Sequence, residues 1–168
     1  MTRELALAIM IAAAVVLLAA GAWGWWRRTR RDAGIRAPFG ETPDGAETVA
    51  AFDGLYVATT RHDEPLERLA IRGLGFRSRV GMTVTDAGVA LDLTGQPRVF
   101  FALDRLAAAD RATVAIDRVV EKDGLVRLVW RTDDGSLVDT YLRAQNASSR
   151  TLADTITRTL PTPMGTDA

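Results

Sequence analysis

Three patterns of apolar and polar positions divide the chain. From Leu5 to Trp26 there are 22 consecutive residues without a charge. At about 1.5 Å rise per residue they form a helix of roughly 33 Å, enough to cross a hydrocarbon core of ~30 Å. Residues 27–47 show neither helical nor alternating periodicity and carry Gly34, Pro38, Gly40, Pro43 and Gly45, the composition of a flexible tether. From about residue 48 to 160 short alternating runs are separated by glycine-containing turns, which predicts an antiparallel, mainly-β domain.

The clearest run sets Phe76, Ser78, Val80, Met82 and Val84 on one face and Arg77, Arg79, Gly81, Thr83 and Thr85 on the other. Asp86-Ala87-Gly88 turns the chain into Val89, Leu91 and Leu93, and Thr94-Gly95-Gln96-Pro97 turns it toward Val99, Phe101 and Leu103. Lys122-Asp123-Gly124 separates Val119-Val120 from Leu125 to Arg131, where Val126, Leu128 and Trp130 share a face. Asp133-Asp134-Gly135 makes a hairpin turn into Leu137 to Arg143. With the shorter runs Leu55 to Thr60 and Arg68 to Arg72, seven or eight strands are expected. One helix follows: Ser148 and Ser149 offer N-caps, Leu152, Ile156 and Leu160 recur every fourth residue, and Pro161 stops it. So short a helix is marginal alone in water and needs to dock its apolar stripe onto the strands.

Charge orients the anchor. Trp23, Trp25 and Trp26 form an interfacial belt, and Arg27, Arg28, Arg30 and Arg31 crowd the side after it, whereas Arg3 is offset by Glu4. The positive-inside rule then leaves the N-terminus outside and everything after Arg31 cytoplasmic, in the inner membrane of a bacterial cell. The competing expectation is an exported domain: Ala20-Gly21-Ala22 fits a signal-cleavage site that would leave a mature protein beginning at Trp23. A signal has a shorter apolar region and its charge in front, which disfavours that reading. Ala20 and Gly24 have small-xxx-small spacing, but an alanine-rich span produces such pairs by chance, so a homo-oligomer is unsupported.

Composition then narrows the chemistry. The 168 residues include no cysteine and one histidine, with 21 cationic against 21 anionic residues. Thiolate metal sites, disulfides and a Cys nucleophile are excluded. Near-neutral charge without an aromatic-interleaved basic patch argues against nucleic acid. Trp130 and Tyr141 read as core or core-edge residues. His62, in Arg61-His62-Asp63-Glu64-Pro65, reads as a solvated loop residue, because neighbours in an extended loop point apart and no second ligand is adjacent. No nucleophile elbow or phosphate loop occurs; Gly73-Leu74-Gly75-Phe76-Arg77-Ser78 lacks the last glycine of a dinucleotide fingerprint. No catalytic residue, metal or cofactor is expected. An enzyme would need a closed pocket lined by Asp104, Asp110 or Asp117.

Strands in hairpin order followed by one amphipathic helix that plugs an open barrel end, with runs such as Val80-Gly-Met-Thr-Val-Thr-Asp-Ala-Gly88 and Asp133-Asp-Gly-Ser-Leu-Val-Asp-Thr-Tyr141, resemble the pleckstrin-homology-like (PH-like) domains of actinobacterial single-pass membrane proteins. The resemblance implies residues 1–4 as a tail, 5–26 in the bilayer, 27–47 as basic flank and linker, 48–160 as a PH-like barrel and 161–168 as a tail. It also implies a non-catalytic module that docks a protein partner at the cytoplasmic face, as an accessory of a membrane or transport assembly. The alternative partner is an anionic lipid headgroup, held by Arg72, Arg77 and Arg79 with Gly73 and Gly75 between them, since guanidinium forks match phosphate. Two considerations favour the protein: residues 48–168 carry 15 cationic and 16 anionic groups, and the helix already localises the domain at the membrane.

Overall fold

The computed structural model describes residues 3–115, 118–119 and 124–161. It divides into two compact units, residues 1–34 and 35–168. The first is helix α1, Arg3–Arg31, a single helix long and apolar enough to cross a membrane. Its 29 residues measure about 44 Å, so the helix outlasts the uncharged run. The expected basic flank therefore belongs to the helix: Arg27, Arg28, Arg30 and Arg31 occupy its last turns, and the Arg30 guanidinium lies 4.3 Å above the Trp26 ring. A basic last turn also suits the negative end of the helix dipole.

The described residues of the second unit form an eight-stranded antiparallel sheet, a separate two-stranded sheet and a helix. Its strands are β1 (Thr48–Arg61), β2 (Glu64–Arg68), β3 (Ser78–Thr85), β4 (Gly88–Leu93), β5 (Val99–Ala102), β6 (Leu106–Ala112), a small β7–β8 pair (Val114–Ala115 and Arg118–Val119), β9 (Leu125–Arg131) and β10 (Leu137–Ala144). The order is β5-β4-β3-β1-β10-β9-β6, with β2 beside β1. The ends β5 and β6 do not pair, so the barrel stays open. The Lys122-Asp123-Gly124 turn falls almost wholly outside the described residues.

Strand β1 joins the two halves. Its first part pairs with β3 and its second with β10, overlapping at Gly54 to Tyr56. A Cβ at Gly54 would stand 2.2 Å from the Arg143 carbonyl oxygen, so only glycine admits both neighbours there. The halves curl until Phe101 of β5 meets Trp130 of β9, with ring centroids 5.1 Å apart at 59°. Around that pair lie Phe52, Met82, Leu91, Leu128 and Leu142, all buried.

Helix α2, Ser149–Thr159, closes the open end by burying Leu152, Ala153 and Ile156. Its start is set by Ser148, whose hydroxyl accepts from the Thr151 N–H at 3.0 Å.

Residues 35–47 differ from a flexible tether. Phe39 pairs antiparallel with Val99, Phe100 donates to the Pro38 carbonyl at 2.8 Å, and Gly40 donates to the Arg98 carbonyl at 3.1 Å. Ala37 is buried and Ile35 packs against the core. The segment satisfies backbone groups that the edge strand β5 would otherwise leave open. Its prolines and glycines hide this in the sequence, because a single bridge leaves no periodicity.

Candidate functional site

The β2–β3 loop, residues 69–77, is held from within. Leu69, Ile71 and Leu74 are buried, and the Leu69 N–H donates to the Thr59 carbonyl at 2.9 Å. Behind them runs a buried hydroxyl chain. Trp130 Nε1 is 2.9 Å from Thr140 Oγ1, which is 2.9 Å from Thr59 Oγ1, which is 3.0 Å from the Tyr56 hydroxyl, which is 2.6 Å from the Leu74 carbonyl. A carbonyl only accepts, so Tyr56 donates there, and each hydroxyl behind it donates forward in turn. The chain ties three strands to the loop. Burial pushes the Tyr56 hydroxyl up to about 12, against its hydrogen bond with Thr59.

Because the folded-state value lies above the ordinary 10.0, the Tyr56 contribution to stability is complete below pH 10 and is lost as pH rises toward 12. Tyr56→Phe is expected to cost about 1–2 kcal/mol at neutral pH through the two lost hydrogen bonds. It should also flatten the alkaline fall in stability, measured as the urea midpoint of the full chain in micelles between pH 8 and 11.5.

The three arginines of the expected headgroup site are all exposed. Arg72 and Arg77 lie in the loop and Arg79 on β3. No hydrogen bond among the described residues joins their side chains to one another. Phe76 is not the first residue of the inward face: the strand begins only at Ser78, and Phe76 is 84% exposed. The anchors Leu69, Ile71 and Leu74 fix the loop backbone and leave its ring no interior to enter. The expected strand at 68–72 likewise ends at Arg68, and Leu69 and Ile71 serve as loop anchors. At Gly73, φ is +83° and an added Cβ would stand 2.6 Å from the Phe39 ring, so the loop rests directly on the capping segment of β5.

A second constellation corrects the reading of His62 as a solvated loop residue. Asp63 adopts a left-handed φ of 59°, which turns the β1–β2 hairpin back over β10. His62 Nδ1 then lies 2.7 Å from Oδ1 of the fully buried Asp139, whose Oδ2 accepts from the Asp63 N–H at 3.2 Å. Arg127 on β9 completes the group. It clamps Asp110 of β6 through Nε (2.9 Å) and Nη2 (2.7 Å) and reaches Asp63 at 3.1 Å and Asp139 at 3.5 Å. The Asp110 hydrogen bond raises the Arg127 pKa further above its ordinary value. Ligand atoms of His62, Asp63 and Asp139 come close enough together to hold a cation, but the guanidinium already supplies the positive charge there. The network stitches β1, β10, β9 and β6 side by side.

The third feature is a groove of about 640 Å³ between β6 and the end of α2, lined by Leu103, Leu106, Ala107, Ala108, Leu160 and Pro161 among others. Thr157 donates across it to the Ala109 carbonyl at 3.0 Å. Asp104 and Arg131 are its charged residues. Of the carboxylates that an enzyme would need, Asp104 therefore lines an open groove, Asp110 is locked by Arg127, and Asp117 lies outside the described residues. Trp130 is buried in the main core, and Tyr141 in a small cluster with Leu125 against which Val57 and Ala112 pack.

Residues 31–158 match the family model described as bacterial PH domain-like. No curated protein matches the chain. Among solved structures, the C-terminal domain of an unknown protein from Leishmania infantum is similar at 9% identity over 70% of this chain and 87% of that one, with a TM-score of 0.44.

Proposed function

Because the chain belongs to the bacterial PH domain-like family, we propose that it is a non-catalytic, membrane-tethered binding module. In this reading α1 spans the inner membrane with the N-terminus outside. The domain docks a protein partner at the cytoplasmic face, as an accessory of a membrane or transport assembly. The observation that supports docking is the unequal treatment of the two sheet edges. The chain covers β5 with its own residues 38–40, whereas β6 borders the groove beside α2. An edge flanked by small side chains such as Ala107 and Ala108 lets another backbone approach and add to the sheet. The groove offers one carboxylate and no second acid or base beside it, which suits binding and not proton transfer.

The test is photocrosslinking in intact cells with a benzophenone amino acid at Ala107, compared with the exposed turn residue Ser136. A discrete adduct at 107 that Ala108→Arg suppresses, and that is absent at 136, is the expected result. Equal labelling at the two positions, or none at 107, would refute the groove as the docking surface.

A further inference from the structure

A bare edge strand is a template for pairing with another chain unless proline or charge blunts it. The first half of β6, Leu106 to Ala109, is Leu-Ala-Ala-Ala and carries neither. Helix α2 takes part of this edge, since the Thr157 hydroxyl donates to the Ala109 carbonyl at 3.0 Å. Ala107 and Ala108 are left lining the groove. Charges stand at the start of the strand. Arg105 pairs with Asp133 at 2.7 Å, and its carbonyl accepts from the Arg131 N–H at 2.8 Å. Asp104 and Arg131 both line the groove and both are exposed, yet neither side chain makes an ion pair with any described residue. The groove therefore presents one uncompensated carboxylate and one uncompensated guanidinium.

We propose that the occupant of this groove is a second copy of the chain: two β6 edges meet antiparallel about a two-fold axis, and Asp104 of each copy pairs with Arg131 of the other. The inference rests on the groove being the docking surface of the preceding reading, and it names what docks there. Charge selects a second copy over an unrelated protein. Under a two-fold axis each copy supplies the charge that the other lacks, so a surface with one free acid and one free base is complementary to itself. The treatment of the two sheet ends agrees. Residues 38–40 already cover β5, so each copy brings one open end of its main sheet, and pairing closes at two without the open-ended growth that bare edges invite. The ten residues lining the groove fall short of the roughly 20–30 per side of an interface that is stable in solution. Copies anchored in one bilayer with one orientation meet at a far higher effective concentration, which populates a contact too weak to hold two free domains together.

The chain has no cysteine, so one introduced thiol reports one position. The full chain carrying Ala107→Cys, in isolated membranes, is treated with a short bismaleimide and compared with Ser136→Cys on its exposed turn. A residue close to a two-fold axis meets its own counterpart, so a product of twice the chain mass is expected at 107 and little at 136. D104R and R131D, each added to Ala107→Cys, should lower that product by about fivefold or more, because like charges then face each other across the axis. The double change D104R/R131D should restore it, as should coexpression of the two single variants, and recovery shows that neither change unfolds the domain. No more product at 107 than at 136, a product indifferent to the single changes, or no recovery in the double variant would overturn the proposal. A 107 adduct with a mass other than twice the chain's would overturn it too, while leaving the groove a docking surface. No adduct of any kind at 107 would sink the docking reading as well.

Discussion

Trp130→Ala is expected to lower the stability of the domain by about 3–5 kcal/mol, the usual cost of deleting a large buried aromatic. For a domain of this size that is a fall of roughly 10–20 °C in the melting temperature. Two losses coincide there. The ring leaves a cavity against Phe101 where the two halves of the sheet meet, and Thr140 loses the indole donor that heads the hydroxyl chain ending at Leu74. The loop bearing Phe76 should loosen along with the core. Thermal unfolding of the full chain in micelles, followed by far-ultraviolet circular dichroism, measures the first effect. Amide exchange at residues 69–77 measures the second. A variant that melts within a few degrees of the parent would show that the two halves are not held together at this contact.

Arg127→Leu is the second large effect. The guanidinium is the only cation that described ion pairs bring to Asp63, Asp110 and Asp139 together, and Asp139 has no exposure to water. Removing it leaves a buried carboxylate with His62 and one backbone N–H as partners, a loss of about 3 kcal/mol. Asp110→Asn should cost less than about 1 kcal/mol, because Asp110 is half exposed and water replaces much of what is lost. The pair is read from urea midpoints of the two variants at neutral pH. Equal effects would mean that the Asp110 clamp, and not the buried Asp139, carries the energy of the network.

The elements legible in the sequence were those with strong local signals. Period-two alternation located β3, β4, β9 and β10, and the four-residue spacing with Ser148 and Pro161 located α2. What escaped was set by distant partners. Leu106–Ala112 is Leu-Ala-Ala-Ala-Asp-Arg-Ala, a composition with no strand preference of its own, and it is extended because β9 pairs with it. The first half of β1 looks like the end of a linker because Asp53 and Gly54 interrupt its apolar pattern, and Gly54 is there for the close approach of β10. Helix α1 continued past its apolar run because basic residues are good helix formers at a C-terminal end.

His62 escaped because its partner Asp139 lies 77 positions away. A signal was present all the same: Asp139 stands between Val138 and Thr140 in a run of five consecutive buried residues, and a carboxylate in such a place implies a partner. Phe76 was misplaced by extending a good alternation two residues too far. Arg72, Arg77 and Arg79 were legible as a candidate headgroup site from their charge and spacing, whereas the anchoring of their loop by Leu69, Ile71 and Leu74 exists only in three dimensions.

In the proposed topology the domain is held at the cytoplasmic face by its own N-terminal helix. Single-cysteine variants Thr2→Cys and Arg150→Cys in otherwise cysteine-free chains, exposed to a membrane-impermeant maleimide on intact spheroplasts, test it most directly. The account predicts that position 2 reacts at once and that position 150 reacts only after the membrane is permeabilised. Reaction of position 150 on intact spheroplasts, or release of a fragment beginning at Trp23, would contradict it.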